Sequence, residues 1–196
     1  VELKNKYNAI LIVDEAHAVG CMGPSGAGLA EKLGLLEQID IIVSPLGKAF
    51  GASGCIVVGP EIVIDYVVNT ARAFIYTTAP SPVNSAAVLA ALKIAKKEPQ
   101  RQQMLAENSK MMRQKLQAAG FDTGQSSTHI IPILIGNAGD AARISDELYH
   151  KGFYAVAVRP PTVTPGTSRI RVSIQAKHTE KHIISFVEML IKSAKQ

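Results

Sequence analysis

Near-continuous apolar runs alternate along this chain with stretches whose apolar residues recur at helical spacing, and the runs set the frame. Ala9–His17 (AILIVDEAH) and Ile41–Gly51 (IIVSPLGKAFG) each carry a run of strand length that ends in a charged group: Asp14 after the first, Lys48 just past the second. Such Ile/Leu/Val runs suit parallel strands buried on both faces, and open α/β sheets bind ligands beyond the carboxyl ends of their strands. The pattern predicts an acid and an amine facing one crevice.

The rest of the chain follows the same reading. A short helix over Leu29–Leu36 leads to the strand Asp40–Ser44, and Cys55–Val58 forms a third strand, which puts Lys48 in a tight connection at the sheet. Helical spacing returns over Glu61–Ala71, then over Val83–Lys97 with an alanine-rich inner face, and over Arg101–Ala119, where Met104, Leu105, Met111, Met112 and Leu116 share one stripe and Gly120 closes the helix. Those methionines read as packing material. Between helices, Phe74–Pro82 is irregular: either Ser81 or Asn84 caps the next helix, or the Thr77, Thr78 and Ser81 hydroxyls meet an anion. Ile130–Ile135, Tyr154–Val158 and Arg169–Ile174 are strands; Asp140–Lys151, capped by Asp140, and a last helix capped by Thr179 are the helices among them. Residues 1–98 thus form an α/β part with a mixed or parallel sheet, and residues 99–196 a small α+β carboxyl-terminal domain with helices on one side of its strands.

Composition narrows the classes. The 196 residues carry 21 basic and 16 acidic side chains, net +5, but the lysines are spread over helix faces and there is no Trp, so the charge reads as solubility and no nucleic-acid partner is expected. Cys21 and Cys55 lack C-x-x-C spacing, which fits a reducing cytoplasm, no cluster has metal-ligand spacing, and no apolar run is long enough to span a membrane. A single short polar segment precedes the first buried strand. The expectation is a carboxyl-terminal piece of a longer protein, or a subunit needing other polypeptide, inactive alone.

Two chemistries fit a strand ending in Asp14-Glu15-Ala16-His17. One is the nucleotide-hydrolysing strand of DEAH-type helicases, whose acids hold Mg²⁺; the other is a pyridoxal phosphate site, where an aspartate pairs with the pyridine nitrogen and a lysine binds the aldehyde. The lysine context favours the second, because Ala49 follows Gly47-Lys48 and Ile42 occupies the place of the first glycine in a G-x-x-x-x-G-K-[ST] loop. Apolar neighbours Ala49, Phe50 and Ala52 disfavour an ammonium and make the amine a better nucleophile. Gly20, Gly23, Gly26 and Gly28 crowd the stretch after His17 and predict a loop lining a ligand. Near the carboxyl end, Arg169 and Arg171 share one strand face; they either pair with surface acids or grip a ligand carboxylate. A noncatalytic binding or assembly module remains the third class.

On these motifs the chain resembles the α-oxoamine synthases, fold-type I pyridoxal phosphate enzymes with the aspartate-aminotransferase-like fold. The resemblance rests on Asp14 to His17 with the glycine loop, on Leu46-Gly47-Lys48-Ala49-Phe50-Gly51, on Tyr76-Thr77-Thr78, and on Arg159-Pro160-Pro161-Thr162 through Arg169-Ile170-Arg171. It implies pyridoxal 5'-phosphate as cofactor, with Asp14 on the pyridine nitrogen, His17 on the phenolic oxygen and Lys48 as the covalent anchor and proton-transfer base. Thr77 or Thr78 would reach the phosphate in a neighbouring subunit, making a homodimer. Arg171 would hold an amino-acid carboxylate and Thr162 would line the substrate pocket. The proline turn implies condensation of L-alanine with a pimeloyl thioester, on coenzyme A or a carrier, with loss of CO₂; glycine C-acetyltransferase chemistry is the alternative. Two departures stand out. Pro45 occupies the usual Ser/Thr phosphate position, leaving Ser44 to substitute, and Gly26-Ala27-Gly28 replaces the frequent G-R-G.

Overall fold

The computed structural model describes residues 1–195, which divide into two compact units, one over Val1–Gln102 and the other from Gln103 onward. In the first unit the polar opening segment is itself a helix, α1 (Glu2–Tyr7), ended by Asn8 in the left-handed region. After it come β1 (Ile12–Asp14), α2 (Leu29–Lys32), β2 (Ile41–Pro45), β3 (Cys55–Val58), α3 (Glu61–Thr70), α4 (Arg72–Ile75) and α5 (Pro82–Lys97). The helix expected to reach Leu36 stops at Lys32, and a separate 3₁₀ turn, Leu36–Gln38, follows Gly34.

The strands lie in the order β1-β2-β3. β1 and β2 are parallel, with Asp14 opposite Val43, whereas β3 runs antiparallel to β2. The mixed sheet has a simple cause: the connection from Pro45 to Cys55 is too short for the crossover a parallel neighbour requires. Asp40 locks the entry to β2 by accepting from the Leu11 amide and from Lys4 Nζ, both at 2.8 Å. Its carboxyl accordingly lies below the ordinary range, first through the Leu11 amide and then through Lys4.

Burial on both sheet faces, expected from the apolar runs, is not what these three strands achieve. Ile12 is 60% exposed, every residue of β3 is exposed, and α5 buries none of its residues. Three strands and the helices of this unit do not supply enough surface to cover them.

The second unit holds most of α6 (Gln100–Ala118), then β4 (Ile130–Gly136), α7 (Ala138–His150), β5 (Val156–Val158), β6 (Ser168–Ser173) and α8 (Glu180–Ala194). Its antiparallel sheet has the order β4-β6-β5. Period two along β6 buries Ser168, Ile170 and Val172 and turns Arg169, Arg171 and Ser173 to the other face. Against the buried face, α7 contributes Ala141, Ile144 and Leu148, and α8 contributes Ile183, Phe186, Val187 and Leu190. Ile131, Ile133, Leu116, Leu148, Ile170 and Leu190 are completely buried, so this unit has a closed core. Met112 joins it, while Met104 on the same helix is exposed.

Helix ends follow side-chain chemistry. α7 is capped by Asn137, whose Oδ1 accepts from the Gly139 amide at 2.7 Å; Asp140, expected as the cap, sits in the first turn, where a negative charge suits the helix dipole. Thr179 caps α8 as expected, in a reciprocal pair: the His182 amide donates to Thr179 Oγ1 and the Thr179 amide donates to His182 Nδ1. No described helix is long and apolar enough to cross a membrane.

Candidate functional site

Parallel pairing of β1 and β2 brings the ends of both strands to the same edge of the sheet. Asp14 closes β1 in register with Val43, and the chain leaves β2 two residues later to make the turn that carries Lys48. Both side chains are exposed at that edge. Asp14 Oδ1 accepts from the Ala16 amide at 2.8 Å, which fixes the carboxylate against the start of the next turn. His17 lies exposed in that turn, whose backbone is folded by the Ala18 and Val19 amides donating to the Glu15 carbonyl at 2.8 and 2.9 Å.

The lysine turn is built by its backbone. The Leu46 amide donates to the Gly54 carbonyl at 3.0 Å, the Ala52 amide to the Leu46 carbonyl at 3.1 Å, and the Gly51 amide to the Lys48 carbonyl at 3.1 Å. Gly51 takes φ +59°, a conformation that side chains disfavour. Asn84 of α5 clamps the turn: its amide group donates to the Ser53 carbonyl and its Oδ1 accepts from the Ser53 amide, both at 2.8 Å. Ser81 caps α5 by accepting from Val83, so the two candidates for one capping role divide between two tasks. Among the described residues no carboxylate pairs with Lys48, and Ala49 beside it is exposed. The apolar surround expected for the amine is not completed by Ala49, Phe50 and Ala52 alone.

Ser44 is buried inside β2, paired with Ile56 of β3. Thr77 and Thr78 are exposed on the segment ahead of α5. The glycine-rich stretch proves to serve internal packing. A Cβ on Gly20 would stand 2.9 Å from the Ala49 Cβ, one on Gly26 2.7 Å from Gln102 Nε2, and one on Gly28 2.7 Å from the Glu15 carboxyl carbon. The close approaches predicted from glycine density are therefore made, but to the protein's own groups. Glu31 pins the middle of the loop, accepting from the Ser25 and Ala27 amides, and its carboxyl lies below the ordinary range, chiefly through hydrogen bonding to Ser25.

Glu15, the second acid of the DEAH string, is 2% exposed, and its two oxygens accept from the Leu29 and Ala30 amides at 3.0 and 2.7 Å. Buried and turned onto two backbone amides, this carboxylate does not stand with Asp14 at the exposed edge, as the Mg²⁺-binding pair of the helicase reading requires. Sequence reasoning missed this role of Glu15 and that of Asn84, since neither lies at a spacing that marks it.

In the second unit, Arg171 is exposed on β6 opposite Pro132 and Val156. It lines a cavity of about 600 Å³ together with Tyr154, Val158, His178, His182 and Phe186. Burial pushes the His178 imidazole below its ordinary pKa, with His182 adding a smaller effect. Thr162 lines a different hollow, with Pro160, Pro161 and Arg169, so the structure does not bring Thr162 and Arg171 into one.

The chemistry of the first unit's edge fits a group that offers a basic ring nitrogen to an acid and an aldehyde to an amine. Asp14 and Lys48 are exposed, and they leave neighbouring parallel strands at the same end.

Residues 1–190 match the sequence pattern of the aminotransferase class I and II family. A Geobacillus kaustophilus protein named "Putative 8-amino-7-oxononanoate synthase" is 44% identical over 197 residues, covering 100% of this chain and 50% of that protein. Among solved structures, SPT with its PLP internal aldimine superposes with a TM-score of 0.93 at 28% identity, covering 99% of this chain and 49% of that one. The 8-amino-7-oxononanoate synthase of Francisella tularensis superposes with a TM-score of 0.83 at 30% identity, over 94% of this chain and 55% of that one. The chain thus spans about half the length of the proteins it matches.

Proposed function

The chain belongs to the aminotransferase class I and II family, and on that footing we propose that it carries the acid–amine half of a pyridoxal 5'-phosphate site in an α-oxoamine synthase. The reaction joins L-alanine to a pimeloyl thioester and yields 8-amino-7-oxononanoate, CO₂ and the free thiol of coenzyme A or a carrier. The observation that supports it most is the placement of Asp14 and Lys48, both exposed, beyond the same ends of two neighbouring parallel strands. The names of the similar proteins point the same way.

When bound, the cofactor supplies a protonated ring that draws electrons from the substrate Cα. Asp14 keeps the proton on the ring nitrogen by ion pairing, and the Ala16 amide holds that carboxylate in place. Lys48 would anchor the cofactor and move the proton at Cα; its turn, clamped by Asn84, limits how far the amine can stray. His17 would face the cofactor's phenolic oxygen. Ser44, although buried in β2, and Thr77 and Thr78 of a second copy would serve the phosphate, in a homodimer with shared sites. Arg171 would grip the alanine carboxylate bidentately, and the substrate-lining role of Thr162 would be played from a separate hollow that Arg171 does not share. The proposed cofactor-binding and carboxyl-terminal parts, residues 1–98 and 99–196, divide four residues ahead of the boundary between the two compact units, which falls after Gln102. Two free thiols, Cys21 and Cys55, fit a cytoplasmic enzyme.

Borohydride reduction of the complete polypeptide with pyridoxal phosphate, followed by peptide mass spectrometry, tests the reading. A cofactor adduct on Lys48 is expected, and its absence overturns the proposal. Steady-state assays pairing L-alanine or glycine with pimeloyl- or acetyl-CoA then decide the substrates, and a preference for glycine with acetyl-CoA would replace the synthase by a glycine C-acetyltransferase.

A further inference from the structure

We propose that Glu15 is a positioning residue, the buried carboxylate that holds Asp14 and His17 in fixed relation to the turn bearing Lys48. The inference rests on the pyridoxal phosphate reading of that edge and deepens it.

Every polar group of Glu15 is committed, and each commitment points to a different part of the site. Its amide donates to the Val43 carbonyl at 2.8 Å, extending the pairing of β1 with β2 one residue beyond Asp14. Its carbonyl accepts from the Ala18 and Val19 amides and so folds the turn that displays His17. Its carboxylate accepts from Leu29 and Ala30, drawing the far end of the glycine loop back beneath the strand. The loop is closed by Gly20 donating to the Gly26 carbonyl at 2.8 Å and Gly28 donating to the Met22 carbonyl at 3.0 Å. Gly20 then lies against Ala49, the residue after Lys48. A continuous series of contacts thus runs from the acid of the site, through one buried side chain, to the turn of the amine.

The chemistry calls for a carboxylate. Two backbone N–H groups converge on the side chain, and only a carboxylate offers each an acceptor oxygen. A glutamine would turn an NH₂ toward one of them, leaving a buried donor facing a donor. Gly28, at φ +121°, lets the backbone pass against the carboxyl group with no room for a Cβ.

The test compares Glu15→Gln with Glu31→Gln in the complete polypeptide. Glu31 pins the same loop, its carboxylate accepting from the Ser25 and Ala27 amides and not from the end of β1, so it reports loop stability alone. For Glu15→Gln the expected results are roughly tenfold weaker pyridoxal phosphate binding, the size of one lost buried hydrogen bond, and a displaced pH titration of the bound cofactor's absorbance. Glu31→Gln should leave both near wild type. Equal shifts in the two variants, or none in either, overturn the proposal. Should Glu15→Gln fail to fold, Gly28→Ala presses on the same carboxylate while retaining it, and an unchanged titration there overturns the proposal too. Hydrogen exchange without cofactor separates this inference from the functional reading. Faster exchange in Glu15→Gln that spreads from Leu29 and Ala30 to residues 16–20 and 46–50 supports positioning even if Lys48 takes no adduct; exchange confined to residues 29–30 overturns it.

Discussion

The two units of this chain solve the problem of apolar surface differently. In the second, α7 and α8 close over one face of a three-stranded sheet, and Ile131, Ile133, Leu148, Ile170 and Leu190 are completely buried. In the first, an equally apolar set of strands keeps β3 exposed throughout, and Ile62, Tyr66, Phe74 and Leu89 of its helices stand in the open. Yet the first unit holds the acid and the amine. The contrast teaches that core and chemistry are distributed separately. One unit is stabilised by its own packing, and the other orders its reactive edge with hydrogen bonds at Asp40, Glu15 and Asn84.

The largest effect expected from this contrast is functional and leaves stability alone. Lys48→Ala in the complete polypeptide should lower the condensation rate by about 10²- to 10⁴-fold, the usual worth of a positioned proton-transfer group, with the urea midpoint unchanged because the side chain is exposed. Release of CO₂ from carboxyl-labelled alanine measures the first and fluorescence the second.

Next in size, Leu148→Ala should cost about 2–5 kcal/mol in the second unit, whereas Ile62→Ala, at a side chain 80% exposed, should stay within about 0.5 kcal/mol when this chain is unfolded by urea alone. Equal costs would break the comparison, since they would mean that the α3 face is covered in solution. Asn84→Ala removes two hydrogen bonds from the lysine turn, and about 1–2 kcal/mol of local stability should go with them, seen as faster amide exchange at Ser53.

The smallest effect is a difference in acid sensitivity. His178 in the second unit binds its proton less readily folded than unfolded, so stability falls as pH drops below about 6.5. In the first unit Asp40 and Glu31 are lowered, so their contribution persists above about pH 4 and is lost as pH falls through their folded values. The second unit should therefore begin to weaken at the higher pH, and two-probe melting between pH 7 and pH 4 checks the order.

Much of this was legible in the sequence, for reasons that differ by residue. Cys55–Val58 matches its predicted bounds, and Glu61–Thr70 and Pro82–Lys97 differ from theirs by one residue, because short apolar runs between glycines and proline-bounded helical spacing leave little ambiguity. The strand expected from Ala9 onward shrinks to Ile12–Asp14, since only those residues find a partner in β2. The helix Glu2–Tyr7 escaped notice because a six-residue polar segment shows no apolar stripe. At the site, the edge location of Asp14 and Lys48 followed from the strand pattern. The burial of Glu15 did not, because adjacent acids in a sequence look alike until a fold assigns each a face.

That assignment depends on the pairing of Asp14 with Val43. Because successive strand side chains point opposite ways, sliding β1 by a single position would exchange the neighbours, offering the longer glutamate outward and sinking the aspartate among apolar groups. The Leu11–Asp40 bond at one end and the Glu15–Val43 bond at the other forbid that slide. Which of two consecutive carboxylates meets the outside world is thus decided by a pair of bolts set at either end of a three-residue strand.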